Sequence, residues 1–213
     1  MTEQKIAEIL LTKKAVTLDL KKGYKWVSGI IAPIYCDNRV LMSYPPERQI
    51  VIDALLNTIK ENNIEFDVLA GTATSGIPWA AFLADQLNKP MVYVRAKIKD
   101  HGRENIIEGV LELGQKVLVI EDLISTGGSS LSVVEALKEA GNEITACLAI
   151  FTYLLPESAE GFGKADCPLY TLTNFKTLIE VAEEQNYIST EEKQAALSWS
   201  QDRWDWAKKV GLE

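Results

Sequence analysis

The sequence has little histidine and little cysteine. His101 is its single histidine, and its three cysteines, Cys36, Cys147 and Cys167, lie far apart in the chain. One imidazole excludes zinc sites that need two or three, and it leaves His101 as the only possible base for a Ser–His or Cys–His nucleophile. Separated cysteines in odd number are typical of reduced thiols and fit neither a disulfide framework nor a zinc knuckle. We therefore expect a reducing environment and no metal ligands of the protein's own.

Long apolar runs are also missing. The longest nearly apolar stretch, residues 146–155, contains Thr152 and is far shorter than the roughly 20 residues that span a bilayer. The amino terminus carries acids among its apolar positions, which predicts a helix rather than a secretion signal. We expect no membrane segment and a cytoplasmic location.

Basic side chains are in the minority. The chain has 30 acidic and 22 basic side chains, which give a net charge of −8. This balance repels nucleic acid and anionic lipid unless the positive charges are clustered. We therefore expect no nucleic-acid or membrane partner, and an anionic ligand must be held by a local group of cations.

The chain has the size and composition of one globular domain. It has 213 residues, of which 47% are hydrophobic, and chains usually divide only beyond roughly 250 residues. The tryptophans near the end, Trp199, Trp204 and Trp206, are expected to anchor a terminal helix, partly buried, rather than to form a ligand cage. We expect a single domain, residues 1–213, with a small N-terminal hood (1–45), a core (46–172) and C-terminal helices (173–213).

The middle of the chain alternates strand-like and helix-like periods. This alternation predicts an α/β fold with a central parallel sheet flanked by helices. A polar stretch, residues 96–108, predicts an exposed loop, and KVLVI at 116–120 predicts a central strand buried on both faces. The other predicted helices cover residues 49–60, 77–87 and 129–140, and the other predicted strands cover 64–70, 90–95 and 144–150.

The segment VLVIEDLISTGGSS, residues 117–130, carries the clearest functional signal. A buried strand ends in two acids and continues through a small glycine-containing turn into a helix, and ligands bind at such carboxyl ends of parallel strands. The turn offers backbone N–H groups and hydroxyls at the positive end of a helix dipole, which suits a phosphate group. Glu121 and Asp122 can accept hydrogen bonds from two vicinal ribose hydroxyls. The segment therefore predicts a sugar-phosphate site.

Other interpretations of this segment explain less of it. A helix cap with a turn requires neither paired acids nor a double glycine. The absence of Gly-Lys-Ser/Thr excludes a P-loop, and the absence of GxGxxG excludes a dinucleotide fingerprint.

Two hydrophobic residues, two acids and a Thr/Ser/Gly loop after a strand resemble the phosphoribosyl-pyrophosphate (PRPP) motif of the type I phosphoribosyltransferases. Nearly the whole chain is similar to the orotate phosphoribosyltransferases of that family, most clearly in PIYCDNR (33–39), GTATSGIP (71–78) and RAKIKDHG (95–102). The resemblance implies the type I phosphoribosyltransferase fold and the transfer of a phosphoribosyl group from PRPP to orotate in pyrimidine biosynthesis, giving orotidine 5′-monophosphate and pyrophosphate. It also implies Mg²⁺, bound mainly through PRPP, and a homodimer.

The same resemblance implies roles for individual residues at the ribose and the base. Asp122 and Glu121 would bind the ribose hydroxyls. Ser125 would contact orotate as well as phosphate, and Tyr35 would stack on the pyrimidine ring.

The loop from Arg95 to Gly102 would reach pyrophosphate in the neighbouring subunit. Lys99 and His101 would stabilise or protonate the leaving group there and, with Asp122, would be the catalytic residues. A cluster of cations is also what an acidic chain needs to hold a polyanion. The implied PRPP-binding residues are Arg95, Lys97, Lys99, His101, Glu121, Asp122, Leu123, Ile124, Ser125, Thr126, Gly127, Gly128 and Ser129.

The chain departs from the family at several positions. Many members carry an arginine near orotate where this chain has Thr152 or Tyr153. The group that would hold the orotate carboxylate is left open between the backbone N–H groups of residues 28–29 and, ranked lower, the side chain of Arg39. Many members also carry lysine at three positions that differ here: Val27, Ser75 and Ala96.

Two other functions stay open on the sequence alone. A transferase with the same ribosyl donor could use a purine or uracil. A PRPP-sensing regulator with the same fold could bind RNA or DNA, although the net charge of −8 argues against it.

Overall fold

The computed structural model describes residues 3–26, 29–95 and 106–212. The helices there are α1 (Glu3–Thr12), α2 (Pro45–Glu61), α3 (Ile77–Leu87), α4 (Gly128–Glu139), α5 (Pro156–Lys164), α6 (Phe175–Glu184), α7 (Thr190–Trp199) and α8 (Trp206–Lys209), with a 3₁₀ helix at Asn38–Ser43. The strands are β1 (Val16–Leu18), β2 (Tyr24–Lys25), β3 (Ile31–Ala32), β4 (Ile34–Cys36), β5 (Val68–Thr72), β6 (Met91–Val94), β7 (Ile107–Glu108), β8 (Lys116–Ile124), β9 (Glu143–Thr152) and β10 (Leu169–Asn174).

The central sheet has the strand order β10-β9-β8-β5-β6-β7. Neighbouring strands are parallel, except that the edge strand β7 runs antiparallel to β6. The central strand β8 is buried along most of its length, as its apolar run predicts. The expected α/β fold is confirmed.

Helices cover both faces of this sheet. Successive side chains of β8 alternate between two apolar clusters. Leu118 and Ile120 belong to the cluster that includes α1, α2, α3 and α6, whereas Val117 and Val119 belong to the cluster around α4. Two small antiparallel pairs, β1 with β4 and β2 with β3, lie in the N-terminal segment and add apolar residues to the first cluster.

Two predicted boundaries before the site are displaced. Helix α2 begins at Pro45 rather than at residue 49, because proline is accepted in the first turn of a helix, where no backbone N–H is needed. Strand β5 begins at Val68 rather than at residue 64 and continues to Thr72. Gly71 lies within this strand, and glycine is needed there because a Cβ would lie 2.9 Å from the Ile77 Cα of α3.

Two further boundaries change the interpretation of the site. Strand β8 continues to Ile124, because β9 pairs with it that far, so both acids lie inside the strand rather than after its end. The stretch 96–108, predicted as a loop, contains β7, whose Glu108 and Ile107 pair with β6. Residues 96–105 lie outside the described part of the chain.

The C-terminal tryptophans divide into two kinds. Trp199 and Trp206 are fully buried, and the indole N–H of Trp206 donates to the carbonyl of Ala195 over 2.7 Å. Trp204 is 66% exposed and is therefore no anchor. No helix within residues 3–26, 29–95 and 106–212 combines the length and the apolar character needed to cross a membrane.

Candidate active site

Two adjacent carboxylates, Glu121 and Asp122, lie near the carboxyl end of β8. Both are buried, with 5% and 7% of their surface exposed. Glu121 accepts hydrogen bonds from the backbone N–H of Asp122 (3.0 Å) and from the hydroxyl of Ser130 (3.1 Å). The second bond joins this acid to the first turn of α4.

The environment of the two acids favours their neutral forms. Burial, and to a smaller extent the charge of Asp122, raises the pKa of Glu121 to about 8. Burial also raises the pKa of Asp122, although the hydrogen bond with Glu121 and the charge of Arg39 act in the opposite direction. At neutral pH Glu121 is therefore mostly protonated.

A cavity of about 170 Å³ follows the two acids, and we call it the phosphate cradle. Gly127 takes a positive φ of 83°, which glycine adopts without strain, and α4 begins at the next residue. The first backbone N–H groups of a helix have no partner within the helix, so the cradle suits a phosphate group. Ile124, one of the implied PRPP-binding residues, does not line the cradle and lies in the apolar cluster around α4. The cradle is lined by Leu123, Ser125, Thr126, Gly127, Gly128, Ser129 and Ser130.

A second cavity, of about 310 Å³, lies beside the cradle. It is larger than the cradle, and we call it the larger cavity. Arg95 lines it and forms an ion pair with Glu108 (2.7 Å), while its backbone N–H donates to the carbonyl of Ile106 over 2.8 Å. These contacts join the two chain segments that flank residues 96–105. The lining residues are Thr72, Ala73, Val94, Arg95, Ile106, Gly128, Ser129, Ser132, Val133 and Glu135.

A third cavity, of about 320 Å³, lies between the N-terminal segment and β8, and we call it the aromatic pocket. Tyr35 is half exposed, and its ring centroid lies 5.8 Å from that of Tyr24. Trp26 packs on Tyr153, with ring centroids 5.0 Å apart. Such walls suit a flat ring. The pocket is lined by Lys25, Trp26, Tyr35, Cys36, Leu123, Ser125 and Tyr153.

The three cavities share walls. Leu123 and Ser125 line both the cradle and the aromatic pocket. Gly128 and Ser129 line both the cradle and the larger cavity. One extended ligand can therefore occupy parts of all three cavities.

The structure describes some of the expected site residues and not others. The cradle residues, Arg95 and Tyr35 line the cavities, whereas the two acids precede the cradle in β8 and line none of the three. Lys97, Lys99 and His101, which include two of the three expected catalytic residues, lie outside the described residues, as do Val27 and Ala96.

Four residues of this region received no role from the sequence. Lys25, Trp26 and Tyr153 line the aromatic pocket, and Asn38 donates a hydrogen bond to the carbonyl of Asp122. Tyr153 directly follows β9, the neighbour of β8; the resemblance placed residue 152 or 153 near orotate, but it gave Tyr153 no role of its own. The other three lie in the N-terminal segment, which has no clear period.

Comparisons with known proteins agree with this geometry. A family model, phosphoribosyl transferase domain, matches residues 43–161. The orotate phosphoribosyltransferase of Coxiella burnetii is 51% identical over 201 residues, which cover 94% of this chain and 96% of the relative. That of Listeria innocua is 52% identical over 206 residues, which cover 97% and 99%. The chain belongs to the orotate phosphoribosyltransferases.

A solved orotate phosphoribosyltransferase, from Aeropyrum pernix, has the same fold. It is 27% identical and aligns with a TM-score of 0.76 over 86% of this chain and 99% of its own. As a member of the orotate phosphoribosyltransferases, the chain is a pentosyltransferase of pyrimidine biosynthesis. The family and the activity expected from the sequence are confirmed.

Proposed function

We propose that this orotate phosphoribosyltransferase binds PRPP along the phosphate cradle and the larger cavity, binds orotate in the aromatic pocket, and joins the two beside Asp122. The observation that carries the proposal is the position of the buried pair Glu121–Asp122 directly before the cradle, with Asp122 next to Leu123, which also lines the aromatic pocket. The 5′-phosphate occupies the cradle, where residues 125–129 supply backbone N–H groups and hydroxyls.

The acids act on the ribose. Displacement at the anomeric carbon develops positive, oxocarbenium-like charge on the ring and negative charge on pyrophosphate. Asp122 accepts a hydrogen bond from a ribose hydroxyl and stabilises the positive ring. Glu121, mostly protonated before PRPP binds, can donate a hydrogen bond to the second hydroxyl.

Cations act on the leaving group. Arg95 lines the larger cavity beside the cradle, and we assign it, with Lys97, Lys99 and His101, to the pyrophosphate. Pyrophosphate replaces Glu108 as the anion beside Arg95 when PRPP binds. Lys99 and His101 then stabilise or protonate the oxygen that leaves the anomeric carbon.

The aromatic pocket must also hold the orotate carboxylate. Of the backbone N–H groups expected at residues 28–29, that of Gly29 already donates to the carbonyl of Trp26 over 2.9 Å, and Ser28 lies outside the described residues. Both guanidinium contacts of Arg39 go to Asp37, at 2.6 and 2.9 Å. Lys25 is the cation among the residues that line the pocket, and we assign the carboxylate to it.

Mg²⁺ fits this site as an ion that is bound mainly through PRPP. Within residues 3–26, 29–95 and 106–212, no three His, Cys, Asp or Glu side chains come together as a metal site. Asp122 offers a carboxylate oxygen, the kind of ligand of which Mg²⁺ accepts one or two beside substrate phosphates. When bound, the ion would neutralise charge on the pyrophosphate.

Two properties of the whole chain complete the proposal. We propose a single phosphoribosyltransferase domain, because one apolar cluster includes Ile6, Ile52 and Trp206 and so joins the N-terminal, central and C-terminal segments. We also propose a cytoplasmic location, because the cysteines are free and buried.

The choice of base is tested by measuring kcat/KM with orotate, uracil, hypoxanthine and adenine at saturating Mg²⁺–PRPP. Uracil lacks only the carboxylate, so a site that pairs this group should prefer orotate by on the order of 10³-fold or more. Comparable kcat/KM values for uracil and orotate would mean that the site does not pair the carboxylate of orotate. Higher values for a purine would place the chain with a different transferase specificity.

We also propose a homodimer in which residues 95–102 serve the site of the other subunit, while Asp122 serves its own. The test mixes inactive Lys99→Ala and Asp122→Asn homodimers under conditions that exchange subunits. If the loop acts in trans, a mixed dimer collects both lesions in one site, so about half of the wild-type activity per mixed dimer returns. If activity stays absent after exchange is verified by mass, the shared-site arrangement is wrong.

A further inference from the structure

Asn38 is a buried polar residue that lines none of the three cavities. It is the first residue of the 3₁₀ helix, and none of its surface is exposed. Strand β4 ends just before it and carries Tyr35 and Cys36 of the aromatic pocket. A buried amide at this point needs an explanation, because burying a polar group is unfavourable unless it is hydrogen-bonded.

Both ends of the Asn38 amide are used. Its Nδ2 donates to the backbone carbonyl of Asp122 over 2.7 Å, and its Oδ1 accepts from the thiol of Cys36 over 3.4 Å. The first bond joins residues 84 positions apart in sequence. One side chain thus connects a wall of the aromatic pocket to the acid assigned to the ribose.

The sheet explains why a donor is needed at Asp122. Strand β8 pairs with β9 as far as Ile124, but its pairing with β5 ends at Ile120. Among the described residues, no strand therefore pairs with one edge of β8 at the two acids. A buried backbone carbonyl requires a partner, and the side chain of Asn38 takes the place of the missing strand.

We propose that Asn38 is a positioning residue that sets the distance between the pyrimidine and the ribose. The proposal rests on the proposed function, in which Tyr35 contacts the base and Asp122 the ribose. The new glycosidic bond forms between the base and the ribose, and a misplacement of one against the other by about 1 Å can cost about 10²-fold in rate. Through one rigid amide, Asn38 joins the segment that carries Tyr35 to the backbone of Asp122.

The test compares Asn38→Leu with Asn142→Leu. Asn142 is also buried and also bridges backbone groups, accepting from the N–H of Gln115 (3.1 Å) and donating to Ala140 (3.3 Å), but it lies at the opposite, amino end of the strands. Steady-state rates and PRPP binding by calorimetry are measured for both, with urea unfolding as the measure of stability.

We expect Asn38→Leu to lower kcat on the order of 10²-fold while the KM values and the Kd of PRPP change less than about threefold. Asn142→Leu should lose comparable stability and keep its kcat. If the two variants show the same kcat once the unfolded fraction is subtracted, the role of Asn38 is structural only and the proposal is overturned.

A second variant, Asn38→Asp, covers the case in which Asn38→Leu does not fold. It keeps the size and the acceptor, but its charged form cannot donate to Asp122. Its kcat relative to the parent, measured from pH 6 to pH 9, should lie below one and be lowest at high pH. A ratio near one throughout contradicts the proposal. The charged and titratable groups around this position are Cys36, Asp37, Arg39, Glu121, Asp122 and Tyr153.

These outcomes are separable from the proposed function. The parent enzyme either transfers to orotate or it does not, and that result tests the base assignment alone. If the parent prefers another base, the comparison of Asn38 with Asn142 is made with that base and still decides the positioning role.

Discussion

The phosphate cradle and the aromatic pocket lie side by side but are built in different ways. The cradle is one continuous piece of chain, from Leu123 to Ser130. The aromatic pocket takes its walls from β2, β4, β8 and the residue after β9, which are far apart in sequence. A ligand group held by one short segment can be recognised in a sequence, whereas a pocket assembled from four segments becomes visible only when the chain is folded.

The two sites also use different atoms. The cradle presents backbone N–H groups at the start of α4, so its chemistry depends on conformation and on small residues such as Gly127. The aromatic pocket presents side chains. Trp26 packs there against Tyr153 and against Trp199 of α7, with ring centroids 5.0 and 5.4 Å apart. Substitutions of side chains should therefore affect the recognition of the base more selectively than the recognition of phosphate.

The largest expected effect is at the junction of the two sites. Asp122→Asn keeps the shape but replaces a charge-assisted hydrogen bond, roughly twice as strong as a neutral one, just where positive charge develops. We expect kcat to fall by on the order of 10² to 10³-fold, and KM for PRPP to rise far less. Steady-state kinetics with both substrates varied measures the two quantities.

The matched control for this change is Asp53→Asn on the exposed side of α2, away from the three cavities. It should leave both parameters unchanged. Turnover of Asp122→Asn equal to that of the parent would show that Asp122 does not stabilise the positively charged ribose.

The same comparison decides how much the sequence could reveal. The apolar run of β8, the two acids and the double glycine are adjacent, so the strand, the turn and the phosphate site were all predicted from one segment. Tyr35 was placed by resemblance alone. Lys25 and Trp26 gave no signal, and Asn38 appeared only within the stretch 33–39, without a role. The short strands β2 and β4 are fixed by packing against distant parts of the chain rather than by their own periodicity.

The next largest effect concerns Lys25 in the aromatic pocket. Removing one charged partner from a substrate carboxylate costs about 2 kcal/mol, or roughly 30-fold. We expect Lys25→Ala to raise KM for orotate by about this factor, to leave KM for PRPP unchanged and to narrow the preference for orotate over uracil. Kinetics with both bases measures the change.

Lys22→Ala provides the control, because Lys22 is an exposed lysine of the same segment that lines none of the three cavities. Its variant should resemble the parent. If Lys25→Ala behaves in the same way, the orotate carboxylate is held by another group, and the aromatic pocket recognises only the ring.

The effect expected on the cradle side concerns stability rather than turnover. The pKa of Glu121 is raised from 4.5 to about 8 in the folded chain, mainly by burial. The folded state therefore binds a proton more tightly than the unfolded state, so this group's contribution to stability is greatest below pH 4.5 and is lost as the pH rises towards 8. The loss is at most about 1.4 kcal/mol per pH unit, the value for one proton.

Glu121→Gln cannot titrate, so its free energy of unfolding in urea should fall less steeply than that of the parent between pH 5 and pH 8. Glu143→Gln, at an exposed position at the start of β9, should keep the parent's slope. Equal slopes for the parent and Glu121→Gln would mean that Glu121 stays ionised in the empty site, and that it accepts hydrogen bonds from the ribose as Asp122 does.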